Sequence, residues 1–468
     1  MRNCPAQALA FGLAVTLAGC MVGPNYQRPT VNVPGQFRGE APDAANTSIA
    51  ETKFPDLFKD ETLTALINKS LQNNFDVRAS AERILQARAN VGIVRANEFP
   101  FLDASVSYNG TKSSGVGSSR LIPAGAQLSS SYTQAGVALS WEVDIWGRYR
   151  RLTEAARAQY AATEEARHGV VVSLIGDVTT AYFTLLEQDL ELEIANRTRD
   201  IANDSLRLVN LRHERGAATG LDVSQAEQLL YLATSQIEAV RRNIGQTEDA
   251  LSLLLGDQPH DITRTLKLEQ IPLPLQLPAG LPATLLERRP DIRQQEALLR
   301  AANAQIGAAR ALFFPNFLLT ASAGEQSRSL LQLVSTPAAV LAVAPTALQP
   351  IFHAGQIRTQ VRLTEAQQRE ALINYQRTIY GALREVSDAL IGHDRLHSQR
   401  QEEEKLVNTL QNTVRLSELR YRGGLDSYLQ VLDAERNLFS GQLVLSQLRL
   451  QELLSIVNLY RALGGGWS

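Results

Sequence analysis

The sequence of 468 residues carries 46 Lys and Arg against 48 Asp and Glu, which gives a formal net charge of −2. With acidic and basic residues interspersed, it offers no basic field for nucleic acid. After residue 20 no apolar run reaches the roughly 18 residues that a membrane helix needs, so any membrane crossing is predicted to use β-strands in a closed barrel.

The N-terminal residues are typical of a secretory signal, since Arg2 is followed by the short apolar run ALAFGLAVTLAGC. The last four letters resemble the lipobox of bacterial lipoproteins, in which cleavage leaves the cysteine as the lipid-carrying first residue. We therefore expect a signal peptide over 1–19 and an acylated Cys20, the alternative being an ordinary secretory peptide that happens to end in cysteine. Cys4 would leave with the signal, so the mature chain would hold no disulfide and no Cys-based metal site. Met21 follows in place of aspartate, which favours sorting to the outer membrane.

The mature chain contains one long pattern twice. The segment FDVRASAERILQARANVGIVRANEFPFLDASVS, starting at Phe75, is echoed by PDIRQQEALLRAANAQIGAARALFFPNFLLTAS, starting at Pro290. Asp76, Gly92 and Pro100 of the first copy are matched in register by Asp, Gly and Pro in the second. Such a repeat predicts one structural unit used two times.

Part of each copy has the period of a β-strand. In QAGVALSWEVDIW, Val137, Leu139 and Trp141 lie on one side while Ser140 and Glu142 lie on the other. Segments of about ten residues are long enough to cross a bilayer as tilted strands, the alternative being a small soluble β-subdomain. The predicted strands are at about 101–110, 134–144, 316–325 and 339–351.

Long helices follow the strands in both copies. Gly147 lies 69 positions before Gly216, and Gly355 lies 69 positions before Gly424, with no proline between either pair. At 1.5 Å per residue each helix would be roughly 100 Å long. Apolar residues spaced by three and four within them indicate coiled-coil-like packing.

Each long helix is predicted to end in a tight hairpin tip. LRHERGAATGLDVSQAE, starting at Leu211, and LRYRGGLDSYLQVLDAE, starting at Leu419, share their outline. Glycine ends the outgoing helix in such a turn, and the return helix begins soon after. The tips and their glycines are predicted at about 213–222, with Gly216 and Gly220, and at about 421–430, with Gly423 and Gly424.

Four strands in one chain cannot close a membrane barrel, because the smallest membrane barrels have about eight strands. The chain is therefore expected to form an oligomer. Two, three or four copies would supply about eight, twelve or sixteen strands, and the periodicity of the sequence does not choose among these numbers.

Several blocks in the right order resemble the TolC-type outer-membrane factors, in the OprM- and NodT-like lipoprotein branch that serves RND efflux systems. The blocks are CMVGPNYQRP, WEVDIWGR, ERRPDIR, IGAARALFFPNFLLTAS, RYRGGLDSYLQVLDAER and NLYRALGGGW. The resemblance implies a mainly α fold with a transmembrane β part and two tandem structural repeats. It also implies a trimer, in which a twelve-stranded outer-membrane β-barrel stands on a long periplasmic α-helical barrel.

The same resemblance implies a layout for the chain and a place for it in the cell. The chain would be lipid-anchored in the bacterial outer membrane and would extend into the periplasm. The expected parts are a signal peptide at 1–19, a lipidated N-terminal arm and equatorial segment at 20–61, a first repeat at 62–256, a Pro-rich linker at 257–283, a second repeat at 284–463, and a tail at 464–468.

A periplasmic gate is also implied by the resemblance, which places it on the second tip. The constriction leucine of the family falls on Leu429, its aspartate ring on Asp433, and its latching residues on Arg436 and Tyr421. Arg436 would brace Asp433 within the chain or across to a neighbour. The alternative is that these two residues form an exposed i,i+3 ion pair worth about 0.5 kcal/mol or less.

The expected function is a passive exit duct of a tripartite RND-type multidrug efflux pump. The implied partners are two further copies of the chain, a periplasmic adaptor that docks at the tips, an inner-membrane RND transporter and outer-membrane lipid, with no nucleic acid. The alternatives are the outer-membrane duct of a type I protein secretion system and a periplasmic adaptor lipoprotein. No catalytic motif is found, so we expect no enzyme activity and no cofactor beyond the covalent lipid on Cys20.

Metal binding is not expected either. His393 and His397 in HDRLH have the spacing of metal ligands on one helix face, but the glutamate of the HExxH pattern is missing. We therefore expect a solvated helix face at this motif. The only methionines are Met1 and Met21, so the mature chain lacks a thioether path for a soft metal, which argues against copper export.

Overall fold

The computed structural model describes residues 21–40, 48–51, 54–112, 129–273, 277–334 and 336–466. The predicted signal peptide over 1–19 and the predicted acylation site at Cys20 lie outside these described residues. The chain divides into two compact units, which are treated separately below. The first unit comprises Met1–Pro29, Leu85–Ala162 and Glu296–Asn374, and the second comprises Thr30–Ile84, Thr163–Gln295 and Tyr375–Ser468.

The first unit is built on a four-stranded antiparallel sheet of order β1-β2-β3-β4. The strand β2 begins five residues before the start that the alternation predicts, and β4 ends ahead of Pro350. Proline lacks the N–H that a ladder needs, so it limits strands in this way. The bounds are β1 Phe101–Lys112, β2 Ser129–Val143, β3 Asn316–Ser327 and β4 Ala339–Leu348.

Both edges of this sheet lack a partner strand within the described residues. Pro345 is tolerated inside β4 because it pairs with Leu319 on one side only. Large apolar side chains stand exposed on the edge strands, including Val106 at 77%, Tyr108 at 73% and Leu341 at 78%. An unpaired, apolar edge is a template for pairing with another strand.

The N-terminal arm packs onto the helical part of the first unit. Val22 donates its backbone N–H to Trp146 O at 3.1 Å, and Arg151 donates through Nη2 to Asn25 Oδ1 at 2.9 Å. Gly307 lies directly beneath the arm, where an added Cβ would stand 2.7 Å from Val22 O. Glycine is therefore required at this close approach.

Helices account for most of the remaining chain. The long helices α4 and α8 both have 67 residues, and the return helices α5 and α9 both have 35. The helix bounds are α1 Phe54–Phe58, α2 Glu61–Asn73, α3 Phe75–Ala96, α4 Arg148–Glu214, α5 Gly220–Leu254, α6 Leu285–Arg288, α7 Pro290–Ala311, α8 Gln356–Arg422 and α9 Tyr428–Ala462.

The sequence predicted no membrane helix after residue 20, but one helix of the structure has a segment of suitable length and composition. Among the described residues, an 18-residue window of α4 is apolar enough to cross a bilayer by length and composition alone. Inside the chain, 56% of that window is buried. Packing against other helices therefore accounts for its apolar character.

An aromatic cluster forms part of the core of the second unit. Phe58 meets Phe183 edge-on with ring centroids 5.0 Å apart, and Phe54 meets Tyr460 at the same distance. Tyr182 is fully buried and donates its hydroxyl to Asp60 Oδ2 at 2.8 Å. Burial raises the pKa of Tyr182, so the hydroxyl stays protonated and acts as a donor.

Arg289, in the ERRPDIR block, joins three helices of the second unit. Its guanidinium donates to Asp291 Oδ2 at 2.6 Å on α7 and to Glu385 Oε2 at 2.8 Å on α8. A third bond runs from Nη1 to the backbone O of Ala462, at the end of α9, at 2.8 Å. Arg289 is 8% exposed, so this set of bonds replaces the water that burial removed.

Candidate functional site: the paired hairpin tips

Both tips lie in the second unit and end their long helices in the same way. Gly216 and Gly424 follow the last turns of α4 and α8 with φ of 75° and 72°, the left-handed conformation that glycine adopts without strain. Leu425 N donates to Arg420 O at 2.9 Å, and Ala217 N donates to Arg212 O at 2.7 Å. Both bonds satisfy carbonyls that a helix end leaves open.

The remaining predicted tip glycines have different positions. Gly423 lies inside the second turn, where its N–H donates to Leu419 O at 3.0 Å. Gly220 is the first residue of α5 and follows the N-cap Thr219. An added Cβ on Gly216, Gly220 or Gly424 would meet no atom within 4 Å, so these parts of the tips are uncovered in the described chain.

The start of each return helix is stabilised differently. Thr219 and Asp222 form a capping box on α5, with Thr219 N donating to Asp222 Oδ2 at 2.7 Å. Ser427 makes no such side-chain bond at the start of α9. The second tip instead has an ion pair between Arg420 and Asp426, and the hydrogen bond from Arg420 lowers the pKa of Asp426.

A hydrophobic cluster lies beneath the two tips and joins them. Tyr421 and Tyr428 meet edge-on with centroids 5.5 Å apart, and they are only 8% and 2% exposed. The other buried members are Ala202, Val209, Ala226, Leu229, Val431 and Leu432. The second tip is therefore packed against α4 and α5 of the first tip through apolar side chains.

Arg212 adds a polar contact between the tips. Its guanidinium carbon lies 4.4 Å from the centroid of the Tyr421 ring, a cation–π geometry. Arg212 Nη1 also donates to the backbone O of Tyr421 at 3.4 Å. The predicted latch residue Tyr421 is thus held inside its own chain.

The other three predicted gate residues, Leu429, Asp433 and Arg436, lie on one exposed face of α9, which is called the gate stripe below. Leu429, Asp433 and Arg436 follow one another at i, i+4 and i+7, and Leu429 is 48% exposed. Tyr421 does not join them, because it is buried in the cluster beneath the tips. The structure therefore brings three of the four predicted gate residues together.

The contacts of Asp433 differ from the in-chain alternative for its brace by Arg436. No ion pair joins these two side chains in the described residues, and Asp433 Oδ2 instead accepts from Asn437 Nδ2, one helical turn later, at 3.4 Å. An exposed i,i+3 pair has little energy to hold two long side chains in one geometry. A brace from Arg436 to a neighbouring copy stays a prediction.

Sequence reasoning missed Glu435, which lies beside the gate stripe but faces inward. Its side chain is 5% exposed, and Oε1 accepts from Ser205 Oγ of α4 at 3.4 Å. Burial raises the pKa of Glu435 to about 7, the charge of Glu418 adds to this shift, and the Ser205 hydroxyl opposes it. The signal was in the pattern, since Glu435 takes a place in the apolar stripe between Leu432 and Phe439.

The HDRLH motif also differs from its prediction, because its histidines do not lie on a solvated face. His397 Nδ1 is 2.7 Å from Glu452 Oε1, and His393 Nδ1 is 3.0 Å from Ser455 Oγ, both on α9. Burial lowers the pKa of His393. Arg400, three residues after the motif, pairs with the same Glu452, so this buried carboxylate has an arginine as its counter-charge. In the described ranges no group of three His, Cys, Asp or Glu could hold a metal ion.

The chain is similar to proteins of known class over nearly its whole length. The family model described as outer membrane efflux protein matches residues 66–257 and 281–465. The solvent efflux pump outer membrane protein SrpC of Pseudomonas putida is 39% identical over 468 residues, covering 99% of this chain and 98% of the relative. The probable outer membrane lipoprotein SilC of Salmonella typhimurium is 33% identical over 466 residues, covering 98% of each.

Solved structures show the same relationship. A membrane protein from Pseudomonas aeruginosa has a TM-score of 0.87 at 33% identity and covers 95% of this chain and 100% of its own. The open state of the Neisseria gonorrhoeae MtrE outer membrane channel has a TM-score of 0.84 at 29% identity, covering 96% and 99%. The predicted resemblance, the outer-membrane localisation and the role as an outer-membrane efflux component are confirmed. The chain belongs to the outer membrane efflux protein family, whose members are transport components and not enzymes.

Proposed function

We propose that this chain forms a homotrimer that serves as the passive exit duct of a tripartite RND-type multidrug pump. The observation that carries the proposal is the four-stranded sheet, whose edge strands β1 and β4 are unpaired in the described residues and expose apolar side chains. Pairing β4 of one copy with β1 of the next would satisfy both edges. Three copies would give a closed barrel of twelve strands in the outer membrane.

The helical part of the duct follows from a duplication. The proposed repeats at 62–256 and 284–463 each contribute a long helix of 67 residues and a return helix of 35. Three chains would supply twelve such helices, enough for a long periplasmic tunnel. The proposed N-terminal arm at 20–61, linker at 257–283 and tail at 464–468 would form a belt around it.

The lipid anchor is part of the same proposal. Cys20 would carry the acyl chains, and the next residue but one, Val22, is bonded to Trp146, three residues after the end of β2. This bond supports a lipid attached close to the junction between β2 and α4. Each buried CH₂ contributes roughly 0.8 kcal/mol, so several chains would hold the protein firmly on the membrane. No other cofactor is proposed.

The tips would carry the gate and the docking surface. Three copies of Asp433 converging on a narrow axis would repel one another, and Arg436 of a neighbouring chain would offset part of that repulsion. Leu429 would narrow the passage beside them. The uncovered glycines Gly216 and Gly424 leave the tips free to meet a periplasmic adaptor, which would join the duct to an inner-membrane RND transporter.

The cargo class is proposed from the names of the relatives. SrpC is named for solvent efflux, a second relative from Pseudomonas putida for toluene efflux, and a third for antibiotic efflux. We propose organic solutes of varied chemistry as cargo for this chain. A wide polar passage would select weakly among them.

The test is to purify the protein from detergent-solubilised outer membranes, measure its mass by native mass spectrometry, and record its conductance in planar bilayers. A trimer with small, rarely opening steps is expected, together with an acylated Cys20 in the intact mass. A variant carrying Cys20→Ala behind a non-lipoprotein signal is the matched control for the lipid. A well-folded protein that stays monomeric, or that is absent from the outer membrane, would contradict the proposal that the chain forms a duct.

A further inference from the structure

A glutamate occurs at the same position in both tip motifs, but its burial differs between the two tips. Glu227 and Glu435 both stand sixteen positions after the leucine that opens their tip motif. Glu435 is buried, whereas Glu227 is partly exposed. The residue at the start of the return helix differs as well, being Gly220 in the first copy and Tyr428 in the second.

Two buried polar atoms beside the gate stripe have no hydrogen-bond partner among the described residues. They are Oε2 of Glu435 and the hydroxyl oxygen of Tyr428, and the two side chains are 5% and 2% exposed. An ionised carboxylate that is buried without a cation or a full set of donors is strongly disfavoured. The packed arrangement of the two tips therefore favours the neutral, protonated form of Glu435.

Within the described part of the chain, no Lys, Arg or His forms an ion pair with Glu435, although Arg197 lines the same cavity. Glu435 lines a cavity of about 360 Å³, Tyr428 lines another of about 180 Å³, and Glu418 of α8 lines both. The charged groups that face this region are Asp204 and Arg197 from α4, and Glu418 and Arg422 from α8, while α5 contributes only Leu229. Arg422 is already paired with Glu418 at 3.4 Å, and the charge of Glu418 raises the pKa of Glu435 further.

We propose that Glu435 is a positioning residue for the gate, whose carboxyl must hold a proton for the second tip to stay packed on the first. Glu435 lies between Asp433 and Arg436 in sequence but on the opposite, inward side of α9. Loss of its proton would place a charge beside Leu229 and Phe439, which line the same cavity, and separation of the tips would let water reach that charge. The gate stripe would move with the helix that carries it.

The sign of the pH effect follows from this arrangement. The pKa of Glu435 is raised to about 7 in the packed tip, against about 4.3 for a carboxyl exposed to water. Packing is therefore unaffected by pH below the exposed value, weakens as pH rises between the two values, and is weakest above about 7. With these values the ratio of separated to packed tips would rise up to about 30-fold between pH 5.5 and 8.

The experiment measures the distance between the two tips. The inference rests on the proposed gated duct, and this distance can fail or succeed independently of conductance. Spin labels on Ala217→Cys and Leu425→Cys, both exposed on the tips, report the distance between the first and second tip of one chain. Pulsed electron resonance on the full-length, detergent-solubilised protein at pH 5.5 and 8 gives the fraction packed. Conductance is recorded in parallel.

The wild-type Glu435 protein is expected to lose packed distances as pH rises, and Glu435→Gln is expected to stay packed at both pH values. Glutamine has the shape of the acid and no charge to titrate. Glu227→Gln is the matched control from the first copy and is expected to behave like wild type. A wild-type distance that does not respond to pH, or a response that survives in Glu435→Gln, would overturn the proposal. Tips that respond while conductance does not would contradict the gated duct instead.

Discussion

Replacing Arg212 by alanine is expected to loosen the second tip, because Arg212 is the polar contact that ties Tyr421 to the first tip. Its guanidinium stacks over the ring at 4.4 Å and donates to the backbone O of Tyr421 at 3.4 Å. A partly exposed cation–π contact contributes about 0.5–1 kcal/mol, and so long a hydrogen bond adds about 0.5 kcal/mol at most. The sum of about 1 kcal/mol corresponds to roughly a fivefold rise in the ratio of separated to packed tips.

The assay is the fraction of time that single channels conduct in planar bilayers, in a double-mutant cycle with Tyr421. Arg212→Ala is expected to raise that fraction about fivefold, while Tyr421→Phe keeps the ring and should change it little. Tyr421→Leu removes the cation–π contact but keeps the backbone O that accepts from Arg212, so the double variant is expected to fall short of the sum of the two single effects. Arg215→Ala, at an exposed arginine of the same tip, is the control. Additive effects of Arg212→Ala and Tyr421→Leu would refute the reasoning.

Three further predictions concern other contacts. Arg289→Ala should leave two carboxylates and a backbone carbonyl without their donor and lower the melting temperature seen by near-UV circular dichroism, whereas Arg289→Lys should lower it less. Gly307→Val should displace the N-terminal arm, since its Cβ would lie 2.7 Å from Val22 O, and faster proteolysis of the arm would show this. The double change Asp433→Ala with Arg436→Ala should raise conductance if Arg436 braces Asp433 between copies; an unchanged conductance would contradict that brace.

The parts of the fold that follow from local spacing could be predicted from the sequence. Gly216 and Gly424 each end a helix of 67 residues because no proline interrupts it and glycine alone takes the left-handed turn without strain. Strand positions followed from alternation, but the start of β2 did not, since small polar residues before the alternating run carry no period.

The sequence did not predict which face of a helix is buried in its own chain. This explains most of the differences between the predicted and the observed positions of the site residues. Leu429 fits the apolar spacing of α9, yet it is 48% exposed, while Glu435 is buried one turn and a half later. A pattern of threes and fours identifies a stripe but does not say whether the stripe meets its own chain or another copy. Tyr421 shows the same limit, because a residue expected to latch the gate is buried and packed against Arg212.

In the proposed duct, the differences between the two tips would give a repeated unit a single gate. Both copies keep the glycine that ends the long helix and the glutamate in the return helix, so the hairpin itself does not depend on what differs. The difference begins with Tyr428 in place of Gly220, because the Tyr428 ring belongs to the buried cluster beneath the second tip. The first tip has the capping box instead, which stabilises α5 without any buried charge. In this proposal only the second tip depends on a buried carboxyl that stays neutral, which is the asymmetry that a gate closing against a fixed support requires.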